Sequence, residues 1–202
     1  MRLAALLTGL AAVTAATPAI AHHPLDGAMP ETISQGLLSG VGHPIIGIDH
    51  LAFIVGAGII AVMIGRGLTA PLALVAGALL GAVIHFGAVT IPGSEILIAL
   101  SVIVAGRMIF TGARVGSGLI MAGFAVAGIV HGYAYAEAVI GAEQTVIAAY
   151  LFSFSVTQWV IACGAGAIAR IVMRGKNWSA AHRVSGLGIA LAGALFLTQA
   201  VV

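Results

Sequence analysis

The chain has 202 residues, of which 61% are hydrophobic and 7% charged, with a formal net charge of +2. A soluble domain carries about 25% charged residues. There is too little polar surface here to coat a water-soluble globule, so the composition specifies an all-α polytopic membrane bundle. The charge balance rests on few groups and gives no ground for nucleic-acid binding. The single cysteine, Cys163, excludes an internal disulfide and a thiolate-rich metal centre.

In chain order, residues 1–21 have secretory form. Arg2 supplies a minimal basic region, Leu3 to Thr17 an apolar core, and Ala19-Ile20-Ala21 a small-residue cleavage site. An uncleaved signal anchor is the alternative. Residues 22–202 then form a single transmembrane domain with a short outer N-terminus bearing His22 and His23. Apolar runs of about 20 residues mark spans, and six are expected, near 43–65, 71–91, 94–111, 117–137, 144–173 and 180–201. With the mature N-terminus outside, Arg66, Arg114, Arg174, Lys176 and Arg183 fall on the cytoplasmic side. Asp26, Glu31, Glu95 and Glu143 fall outside. This is the positive-inside pattern, and it puts both mature termini outside a bacterial cytoplasmic membrane. The three-and-three division admits an inverted repeat. However, the polar motifs open the first span and close the fourth, both on the outer side, which such a repeat does not predict.

Within these spans lie residues that lipid does not favour. The first contains "GHPIIGIDHLAF", with His43, Asp49 and His50. An aspartate at the centre of a membrane helix costs about 2.5–3.5 kcal/mol. Pro44 suits a first helical turn, so His43 is expected to start the span, with Asp49 and His50 about 9–10 Å deeper. Gly47 would permit a distortion that turns Asp49 toward the histidines. His85 lies near the outer end of the second span, and "VHGYAYAEAV" places His131 and Glu137 at the outer end of the fourth. Four histidines and two acids at one depth point to a shared partner. Imidazole with carboxylate is a ligand set for a borderline divalent metal, and nickel, cobalt, zinc, iron and manganese all remain open. At the mature N-terminus, a free amino group followed by His22 and His23 adds nitrogens suited to Ni(II) or Cu(II). The other classes compatible with these residues are a b-type haem electron-transfer protein, an intramembrane metal hydrolase lacking a paired His-Glu motif, and a metal-binding accessory subunit that does not transport.

"HPIIGIDHLAF" together with "HGYAYAEAVIGAE" resembles the HupE/UreJ family of bacterial nickel and cobalt permeases. The first motif is complete in His43, Pro44, Gly47, Asp49 and His50. In the second, many relatives have a further histidine and a glycine where this chain has Tyr135 and Ala136. The resemblance implies secondary uptake of Ni(II) or Co(II), without enzymatic activity and without a tightly bound cofactor. The partners it implies are the transported divalent ion and the lipid bilayer, with self-association left open.

Six spans after signal cleavage return the C-terminus to the outside. Alkaline phosphatase fused after Val202 should therefore be active in bacteria. A fluorescent green-fluorescent-protein fusion at that end, with an inactive phosphatase fusion, would overturn the topology.

Overall fold

The first span is not a single rod. The computed structural model describes residues 28–174 and 178–201. The segment read as a signal peptide, His22, His23 and Lys176 lie outside the described residues. Helix α1 (Ile33–Ile46) and helix α2 (Ile48–Met63) meet at Gly47 with a bend of 78°. The span expected at 43–65 therefore starts earlier and is broken. His43 and Pro44 belong to the last turn of α1 rather than to the first turn of a helix. A capping box starts α1, with the Gln35 amide on Thr32 Oγ1 and the Thr32 amide on Gln35 Oε1. Pro44 lacks the N–H that would bond back to Gly40, which weakens the helix one turn before it stops.

The remaining helices follow the apolar runs. They are α3 (Ala70–Phe86), α4 (Ser94–Thr111), α5 (Ser117–Ala136), α6 (Gln144–Met173) and α7 (Trp178–Val201). Pro71 stands in the first turn of α3, where a missing N–H costs nothing. Left-handed glycines, Gly93 and Gly112, bound α4. A 3₁₀ turn, Glu137–Val139, continues α5. Four described helical stretches are long and apolar enough to cross a membrane, and the bent α1–α2 pair makes five. Helix α3, with 17 residues, stops at Phe86 instead of running to 91 and falls below that length. Large apolar side chains such as Leu119 (71% exposed) and Phe152 (67%) face outward, which suits lipid.

Glycines bring the helices together. Gly77 and Gly81 of α3 lie against the Ala125 and Ile129 carbonyls of α5, while Gly128 and Gly132 of α5 lie against Leu74 and Ala78 of α3. Contacts that advance together along both chains mean that α3 and α5 run parallel. Helices α4 and α7 run antiparallel: Gly106 meets Gly186 and Ala190, and Gly193 meets Ala99 and Ile103. A shift of 87 residues carries Gly106, Ala99 and Ile103 onto Gly193, Gly186 and Ala190, so this contact maps onto itself. Helices α2 and α6 run parallel, with Gly58 against Ala162 and Gly166 against Gly58 and Val62. The first half of α6 packs on α1, with Gly36 on Val146 and Gly40 on Tyr150 and Ser153.

Gly132→Leu should force α3 off α5 and destabilise the bundle by about 3 kcal/mol or more. Gly123→Leu, where a side chain meets nothing within 4 Å, should be tolerated. Thermal melts of the two variants in detergent check the contrast.

Candidate metal-binding site

Gly47 is needed for space rather than for its backbone angles, which are φ −70° and ψ 96°. A Cβ there would sit 2.8 Å from His50 Cδ2 and 3.4 Å from Asp49 Oδ1. The break also answers how Asp49 is tolerated. It puts Asp49 in the first turn of α2, where amide N–H groups have no acceptor in their own helix and the helix dipole favours a negative charge. Asp49 Oδ1 accepts the His50 amide N–H at 2.8 Å, and the carboxylate side chain is 15% exposed.

The two histidines of the motif lie on opposite arms of the break, with ring centroids 6.1 Å apart. Both are buried. Each is oriented through a hydroxyl whose own hydrogen is committed to a backbone carbonyl. The Tyr150 hydroxyl donates to the Tyr135 carbonyl (2.9 Å), so its oxygen accepts from His43 Nδ1–H (2.8 Å). The lone pair of a neutral His43 is then on Nε2. The Ser101 hydroxyl donates to the Ile98 carbonyl (2.7 Å) and accepts from His131 Nε2–H (2.9 Å). His131 Nδ1 then accepts from His50 Nδ1–H at 2.8 Å, which places the lone pair of His50 on Nε2, 4.0 Å from Asp49 Oδ1. Two carbonyls at the end of these short chains therefore set which nitrogen of His43 and of His50 can meet a cation.

Tyr135 is wedged between the two rings, 4.7 Å from His43 and 4.2 Å from His50 by centroid. Phe154 packs on its other side at 4.3 Å, and Phe53 stacks on His131 at 4.5 Å.

The structure brings together His43, Asp49, His50 and His131. His131 serves as a link, with both ring nitrogens engaged by His50 and Ser101. His85 is held elsewhere: its Nδ1–H donates to the Tyr133 carbonyl at 2.6 Å and its ring stacks on Tyr133. Glu137 is exposed in the 3₁₀ turn beyond α5, while Tyr135 and Ala136 before it are buried. Among the described residues, no three His, Cys, Asp or Glu side chains converge as a metal-ligand group in this conformation. Sequence reasoning did not single out Ser101, Tyr150 or Gln158. The available signal was a polar side chain in an otherwise apolar span, which is weak for serine and tyrosine but stronger for Gln158.

The sequence pattern described as HupE / UreJ protein matches residues 10–196. The chain belongs to the HupE/UreJ family. No curated protein and no solved structure matches the chain. HupE/UreJ proteins form a transporter family associated with nickel and cobalt, not an enzyme family.

In this HupE/UreJ protein, Tyr150→Phe would leave both His43 Nδ1–H and the Tyr135 carbonyl without the hydroxyl. Buried polar groups that lose a partner cost about 1–3 kcal/mol. A lowered melting temperature with unchanged helical circular dichroism is the expected result.

Proposed function

We propose that this protein is a secondary permease that takes up a divalent transition metal, Ni(II) or Co(II), through the broken span. One observation carries the reading: a helix break inside an apolar bundle holds two histidines and an aspartate on its two arms. Broken helices at mid-membrane are where secondary transporters place ion sites. His43 Nε2, His50 Nε2 and the Asp49 carboxylate are the donors, and small movements about Gly47 would gather them on the ion. Two imidazoles and a carboxylate suit the borderline divalent metals. The bound cation would offset the remaining cost of the buried carboxylate. The hydroxyl and carbonyl chains behind His43 and His50 hold the ligand nitrogens in the required tautomer.

The antiparallel α4–α7 contact, which maps onto itself, supports transport over static binding, since oppositely directed helix pairs recur in secondary transporters. The sequence contains no phosphate-binding loop to couple the movement to a nucleotide. An inward-moving divalent ion gains about 4.6 kcal/mol per 100 mV of membrane potential. His22 and His23 would collect the ion outside. A haem reading gains nothing from the geometry, since His50 and His131 bond directly to each other and leave no gap for a macrocycle.

Asp49→Asn keeps the size of the side chain and removes its charge, so insertion should be undisturbed. Uptake of nickel, cobalt, zinc and manganese into proteoliposomes should separate the preferred metal in the parent and fall to background in Asp49→Asn. Parental flux in both Asp49→Asn and His50→Ala would remove the basis of the permease reading.

A further inference from the structure

Helix α6 carries a buried stripe at four-residue spacing: Tyr150, Phe154, Gln158 and Ala162. The first two belong to the site already described, through His43 and Tyr135. Ala162 is the residue on which Gly58 of α2 rests. Gln158 is therefore about 12 Å along α6 from Tyr150 and about 6 Å before the α2–α6 crossing. It is 1% exposed. Neither its Nε2 nor its Oε1 has a protein partner, and the same holds for Ser155 Oγ one turn earlier. Among the described residues, the only other buried side-chain polar atom in this condition is Tyr135 Oη, between the two histidines. The orphaned polar atoms are thus confined to the histidine cluster and to the stretch of α6 that leads away from it. Further along α6, a largely apolar, half-open cavity of about 890 Å³ is lined by α2, α6 and α7. Val55 and Ile59 line one wall, and Ile161, Ala165 and Ile168 another.

A buried amide with no partner is costly, and a leucine of similar volume would fill the same space without that cost. Such a residue is explained by a ligand that visits it. We propose that Gln158 and Ser155 form a second cation station, where the amide Oε1 and the hydroxyl oxygen take a partly hydrated divalent ion leaving the histidine site toward the cavity. The proposal rests on the permease reading. Neutral oxygens bind nickel and cobalt more weakly than imidazole and carboxylate do. An ion therefore leaves this station more readily than it leaves His43, Asp49 and His50. Conduction requires sites of this weaker kind.

The test compares the parent with Gln158→Met and Gln158→Leu, two replacements of similar volume that lack the amide, using nickel as the probe. Both variants should melt at a higher temperature than the parent, because an unpartnered polar group has been removed. Both should bind nickel within about twofold of the parental affinity by calorimetry, yet transport it about tenfold more slowly or worse in proteoliposomes. Gln158→Glu should bind nickel more tightly, because a charged ligand holds the ion, and should also transport slowly. A parent that takes up no divalent metal would sink the permease reading itself. A transporting parent matched in rate by Gln158→Met and Gln158→Leu would overturn the station alone. Lower melting temperatures in both variants would show that the amide is satisfied in the native protein, and would overturn it as well.

Discussion

The break at Gly47 is the constraint on which the site depends. A continuous helix would leave Asp49 facing the bundle interior with no donor beyond its own solvation. It would also place His43 and His50 two turns apart on one face. The bend converts the middle of a span into a helix N-terminus. Amides exposed there, and the dipole behind them, make a carboxylate tolerable inside an apolar bundle. It also turns the last residues of α1 back across the first residues of α2, so that His43 and His50 approach within 6.1 Å with Tyr135 between them. A side chain at position 47 would meet His50 and Asp49, so glycine is required there to leave room for the site.

Around that break the bundle is held by glycine-mediated contacts, with α3 parallel to α5, α2 parallel to α6 and α4 antiparallel to α7. Helix α1 and the first half of α6 pack together and supply His43 and Tyr150, while Asp49 and His50 come from α2, Ser101 from α4, and His131 and Tyr135 from α5. Lipid gives no hydrophobic reward for pressing helices together, so close packing at small residues has to hold these pairs. Such contacts fix backbone distances tightly, which suits a site whose ligand nitrogens are set by hydroxyl-to-carbonyl bonds.

The polar groups divide by the support they receive. His43, His50 and His131 are locked by bonds that end on backbone carbonyls. His85 is tied to Tyr133 and stands apart. Tyr135, Ser155 and Gln158 carry buried oxygens or nitrogens that the protein does not satisfy. A bundle built only for stability would fill those positions with apolar side chains.

The sequence by itself determined the membrane class, four of the helices nearly to the residue, and the family, because hydropathy and a dense His/Asp motif are local properties. It also pointed to Gly47 as a place of distortion. It did not reveal that Pro44 ends a helix, because proline is tolerated at a first turn and equally weakens a last one. The tertiary structure alone decided which polar residues meet. Depth along a span grouped His85 and Glu137 with the motif, but rotation about the helix axis and the turn after Ala136 carry them elsewhere. Ser101, Tyr150 and Gln158 come from helices far apart in the chain, and only packing brings their polar atoms to the histidines or leaves them without partners. The pairing of the helices was hidden for a related reason: it is encoded in glycine contacts between helices rather than in residue strings that follow one another along the chain.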